Sequence, residues 1–161
     1  MNLLEGPYLS AALLCEKVLV EQDGVKSAIR IIDRVTHTVA GPSPPAQMEP
    51  FEHEMSLLIK LKSGSARGVY PLRVVFVKPS GESPVPMEQP VNFEGEEDRG
   101  VDVIASLKIA FDLTGIYWFE IYLAGNIVTR VPFRVIYLPQ VMQMHAAGGG
   151  PPQGGRPPRD S

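Results

Sequence analysis

The side chains best suited to ligate a metal or attack a substrate are few: three histidines and one cysteine. His37 and His53 share the inward parity of two apolar runs joined by a loop. Direct pairing of those runs would set the two imidazoles side by side, where zinc or iron would accept them together with Glu52 or Glu54. Structural and catalytic metal sites want at least three protein ligands, and His145 sits apart in a Gly/Pro-rich stretch. The expectation is therefore no metal and no cofactor, with His37 and His53 as ordinary residues near strand ends. Glu94, Glu96, Glu97 and Asp98 cluster, but without the alternating spacing and turn glycine of a calcium loop. A solvated acidic loop is the plainer reading. Nothing local to Cys15 supplies the histidine base and electropositive pocket that a nucleophilic thiolate needs, so a buried thiol is expected. No phosphate-cradling glycine loop, HExxH, CxxC or GxSxG is present, and the chain is not expected to be an enzyme.

The residues that remain are suited to recognition. In Ile116–Leu123, Tyr117, Phe119 and Ile121 share one parity and Trp118, Glu120 and Tyr122 the other. If the first set is buried, Trp118 and Tyr122 point outward. Arg130 and Arg134 come across to that same face from the next run. Trp, Tyr and Arg dominate binding hot spots, so Trp118, Tyr122, Arg130 and Arg134 are the candidate binding residues.

These residues must be carried by strands. Apolar residues recur at period two in short runs punctuated by Gly, Pro, Asn and Asp. The runs are 11–21, 25–39, 51–62, 69–78, 101–111, 116–123 and 127–137, with a short one at 91–93. Asp23-Gly24 is a hairpin signal. A two-residue turn there sets Glu21 opposite Lys26, but also Lys17 opposite Arg30, which is unfavourable. Along the second run Val25, Ile29, Ile31, Val35 and Val39 are expected to face the core. Glu16, Asp33 and Arg34 read as a bend with a buried ion pair. For the last hairpin, a loop over Ala124–Asn126 pairs Phe119 with Val131, Tyr117 with Phe133 and Glu120 with Arg130, with Asn126 in the left-handed conformation. Pro132 lacks a donor, so the last strand should be an edge or bulged there.

Asp112-Leu113-Thr114-Gly115-Ile116-Tyr117-Trp118-Phe119 resembles the tyrosine corner of immunoglobulin-like sandwiches, in which a buried Tyr bonds back to nearby backbone. Tyr117 would be that residue and Phe119 the core position, where the family pattern has cysteine. A series of further motifs runs in order: Leu14-Cys15-Glu16-Lys17, Asp23-Gly24, Ile31-Ile32-Asp33-Arg34-Val35, Pro79-Ser80-Gly81, Thr114 to Phe119, and Arg130 to Val135. Together they resemble a large family of small uncharacterised bacterial cytosolic β-sandwich proteins, over roughly residues 10 to 137. That resemblance implies a fold and a compartment but no activity, ligand or site residue.

The expected fold is all-β: an antiparallel β-sandwich of about 7–9 strands, immunoglobulin-like or Greek-key. Residues 1–10 form a lead-in, 11–138 the domain, and 139–161 a Gly/Pro-rich disordered tail. A net charge of -3 gives no basic footprint for nucleic acid and no pull toward anionic membranes. No Lys or Arg precedes the apolar stretch Leu9–Leu14, and Glu16 and Lys17 follow it, so no secretory leader is expected. A single cysteine fits a reducing compartment, and a cytoplasmic location is expected. The expected role is a non-enzymatic protein-binding or assembly module whose partner is another protein. The alternative is a small-ligand or carbohydrate-binding module.

Overall fold

The computed structural model describes residues 5–143, and among them there are nine strands and no helix. They are β1 (Tyr8–Val20), β2 (Lys26–Ile31), β3 (Arg34–Gly41), β4 (Phe51–Lys62), β5 (Arg67–Val77), β6 (Met87–Glu94), β7 (Gly100–Phe111), β8 (Gly115–Leu123) and β9 (Asn126–Val141). A first sheet has the order β2-β1-β4-β7, and a second has β3-β9-β8-β5-β6. β1 begins inside the expected lead-in, and β9 takes in residues 139–141 of the expected tail. The rest of that tail from residue 144 lies outside the described residues. The segment before β7 holds a full strand, β6, with Val91 and Phe93 buried.

The expectation of a wholly antiparallel fold fails in one place, because β3 runs parallel to β9. The cause is at Ile32-Asp33. The run from Val25 to Val39 is not one strand but two, and the chain changes sheets between them. Ile32 N–H donates to Leu14 O in the first sheet at 2.9 Å, while Asp33 O accepts from Arg134 N–H in the second at 2.9 Å. Val35 packs on the core, but Val25, Ile29 and Ile31 stand on the exposed hairpin at the first sheet's edge. The ion pair expected to be buried at this bend, Asp33–Arg34 at 3.1 Å, is exposed. Both side chains sit on the outside of the turn between sheets.

The first hairpin avoids the like-charge clash by shifting register one residue. Lys17 faces Ile29 and Val20 faces Lys26, and Arg30 instead ion-pairs with Glu16 at 2.8 Å. In the last hairpin the expected pairs Tyr117↔Phe133, Phe119↔Val131 and Glu120↔Arg130 all form. The turn differs. It is the two-residue turn Ala124-Gly125, both at positive φ (49° and 81°), and a bulge beyond Ile121 restores the register. Positive φ at both central residues suits the right-handed twist of a hairpin. The bulge does what a longer loop was expected to do.

One core joins the buried faces of both sheets: Leu14, Leu57, Ile59 and Leu61 from the first, Leu72, Phe119, Ile121 and Phe133 from the second. Phe111 of β7 reaches across, its ring 5.4 Å from Phe133 and 4.9 Å from Tyr117. This core fixes the parity of β8, and that parity positions the candidate site.

Candidate functional site

β8 is central in its sheet, between β9 and β5. Its burial alternates, with Tyr117, Phe119, Ile121 and Leu123 fully inside and Trp118, Glu120 and Tyr122 on the other side. The expected inward and outward sets are therefore the observed ones. On the inward side the corner is closed. Leu113 N–H donates to Tyr117 Oη at 3.0 Å, and the phenol donates to Leu113 O at 2.9 Å. Burial of the ring pushes the Tyr117 phenol up from its ordinary pKa. Lys78 Nζ holds Asp112 at 3.0 Å and, with its hydrogen bond and charge, keeps that carboxyl below the usual range.

On the outward side the pairing of β8 with both neighbours builds a network of charged and aromatic side chains. The Arg130 guanidinium lies 4.3 Å over the Trp118 ring and also ion-pairs with Glu120 at 3.0 Å. The Glu120 carboxylate is only 18 % exposed. Its second oxygen accepts from Tyr122 Oη at 2.9 Å. That hydrogen bond, and then the burial and charge around it, raise the Tyr122 phenol above its ordinary pKa. Arg73 of β5, directly opposite Tyr122, covers that ring at 4.6 Å. The sequence brings Trp118, Tyr122 and Arg130 together as expected. Arg134 shares the face but lies one rung further on, opposite Ile116, and among the described residues it makes no ion pair. Arg73 was missed. Its outward parity is readable in β5, but its position beside Tyr122 depends on a pairing between strands distant in sequence.

The two arginines lie over the aromatics and shield them in part from solvent. Each guanidinium thus has an aromatic ring beneath it, a contact worth about 0.5–1 kcal/mol at an exposed site. Pro132 faces Trp118. β9 is not an edge strand as a whole, since it lies between β3 and β8, but its ladder to β3 starts only at Arg134. The missing donor of Pro132 thus falls where β9 has no partner on that side.

The histidines do not converge. β3 and β4 lie in different sheets, and Phe51 stacks on His37 with ring centroids 4.4 Å apart. His53 packs against Phe111 and Phe133, and its buried Nε2 has no hydrogen-bond partner. The paired-strand geometry behind the metal alternative is therefore overturned. Among the described residues, no three His, Cys, Asp or Glu side chains come together to hold an ion. The acidic loop is tied by Arg99 to Glu94 and Glu96. Cys15 is fully buried; burial pushes its thiol up, and its Sγ lies 3.4 Å from Lys17 O. No helix of the described residues is long and apolar enough to cross a membrane. Two shallow clefts of about 440 and 530 Å³ lie beside Lys60–Asp102 and beside Asp112–Tyr137, and Trp118 and Tyr122 line neither.

A model for a family of unknown function, DUF6941, matches residues 10–136. The chain belongs to this family. The match covers almost the span over which the sequence motifs run, and the family's description assigns no activity. Among solved structures, an immunoglobulin-like protein from Pseudomonas aeruginosa is similar at 12 % identity and a TM-score of 0.42. That match covers 83 % of this chain and 99 % of that one. No curated protein matches the chain.

Proposed function

We propose that this member of the family is a non-enzymatic protein-binding or assembly module, an immunoglobulin-like β-sandwich working in the bacterial cytoplasm with another protein as its partner. The observation that carries the reading is the continuous outward row Arg73–Tyr122–Glu120–Arg130–Trp118. It is aromatic and charged, and each side chain in it contacts the next. A partner that docks there gains contact with Trp, Tyr and Arg without having to freeze loose side chains. The rival small-ligand reading would use the same Trp118 and Tyr122. A sugar site would want a concavity around the Trp118 ring, and none of the described clefts centres on it.

The test is a Trp118→Ala, Tyr122→Ala double variant whose circular dichroism matches the wild type. Affinity capture from the native host should recover a protein with the wild type and lose it with the variant. A folded variant that keeps every wild-type partner overturns the reading.

A further inference from the structure

An open sheet presents two edges, and here three of the four are blunted. β6 carries Pro90 within it and follows Pro84 and Pro86. β3 is short and runs into the prolines at 42, 44 and 45. β2 has six residues, one of which, Arg30, sits at φ 53°. β7 is different. It has 12 residues and contains no proline. Its register with β4 runs from Phe51↔Phe111 to Lys62↔Gly100 without a bulge. Among the described residues its backbone pairs with β4 alone, so a row of N–H and C=O groups faces away from the sheet.

We propose that this edge is a self-association site at which a second copy of the chain adds its own β7, antiparallel, to make one continuous sheet across a two-fold axis. Geometry restricts how that can happen. Along one strand, outward-pointing backbone groups belong to residues of one parity. A strand pairing with its own copy must therefore match residues of like parity, and the axis must pass through a residue. An axis at Ala105 overlaps all but one residue of the strand and gives about ten backbone hydrogen bonds. It pairs Val103 with the second copy's Leu107, and Val101 with its Ile109. These are core-side residues, of which Val101, Leu107 and Ile109 are half-buried at the edge.

Charge chooses the same register. On the outer face, one end of β7 carries Asp102 between Lys26 and Lys60, each at 3.0 Å. The other end carries Lys108, ion-paired with Glu52 at 3.0 Å and opposite Glu54. With Lys62 opposite Gly100, the first end has three lysines and one aspartate, and the other two glutamates and one lysine. The axis at Ala105 sets Asp102 opposite the second copy's Lys108 and brings each end onto the end of opposite sign. An axis at Ile104 or Ser106 leaves both charges opposite uncharged residues. The charges also penalise slipped registers.

The experiment is analytical ultracentrifugation of the full chain, with cross-linking to read the register. The wild type is expected to dimerise at concentrations on the order of 100 μM or below. Ser106 is exposed on the outer face, so Ser106→Lys, which sets two cations close to the axis, should weaken the dimer at least about tenfold while leaving circular dichroism unchanged. A mixture of Ile104→Cys and Ser106→Cys chains should form a disulfide between the two variants faster than either chain does alone. A monomeric wild type overturns the proposal. So does a dimer that Ser106→Lys leaves intact, or one in which the mixed disulfide does not form preferentially. The Trp118→Ala, Tyr122→Ala variant should dimerise normally, so failure here and failure of the proposed binding face are separable.

Discussion

The two faces of β8 are built from alternate residues of the same nine, yet they hold themselves together differently. The inward face stands on burial. Tyr117 is fully inside, its ring stacked on Phe76 at 5.4 Å and edge-on to Phe111, and its hydroxyl is satisfied by Leu113 backbone. The outward face stands on charge. Trp118 and Tyr122 are half-covered, and what covers them is Arg130 and Arg73, oriented by the Glu120 carboxylate. The first arrangement should be stable and inert. The second keeps its aromatics at the surface beneath two cations, where the proposed partner would meet them.

The largest effect should separate the faces outright. Tyr117→Ala leaves a cavity in the shared core and should cost about 3–5 kcal/mol in urea unfolding. Tyr117→Phe, which keeps the ring and drops only the hydrogen bonds, should cost about 1 kcal/mol. Trp118→Ala should cost no more than the Phe variant. A Trp118→Ala cost equal to that of Tyr117→Ala would mean that the outer face is core, and the comparison would collapse.

A smaller effect tests whether Glu120 organises the outer face. Glu120→Gln removes the charge that holds both Arg130 and Tyr122 and should cost under about 1 kcal/mol. The Tyr122 phenol should then titrate lower, toward its ordinary value, in a spectrophotometric titration. An unchanged Tyr122 titration would show that the row is a set of independent contacts.

The smallest effect concerns pH. Lys78 holds the folded-state pKa of Asp112 below its unfolded value. The stability it adds is therefore present above the ordinary carboxylate range and lost as pH falls through the folded-state value. Wild type and Asp112→Asn should differ slightly in unfolding midpoint at neutral pH and converge in acid. Glu120→Gln, on the opposite face, should leave that acid convergence unchanged.

Much of this was legible in the chain. Period-two alternation in β4, β7 and β8 fixed which residues face inward, because successive strand side chains point to opposite sides whatever the neighbours are. Turn chemistry located the hairpins. The apolar pairing of the last hairpin set its register, even though the turn itself proved to be Ala124-Gly125 with a bulge. The hydroxyl of Tyr117 found its partner close by in sequence, so that contact too was readable.

Only the tertiary structure could decide what depended on distant pairings. The break at Ile32-Asp33 sends β3 to the other sheet, parallel to β9, and leaves Ile29 and Ile31 in water. Nothing in an apolar run announces that its second half will find another sheet, since both halves satisfy the same local rule. For the same reason the sequence could place Trp118 outward but could not supply Arg73 to cover Tyr122, or leave β7 as the long uninterrupted edge. Alternation is a property of one strand and is written along the chain. Strand order is a property of the assembled core, chosen by which faces bury one another, and it appears only when all nine strands are in place.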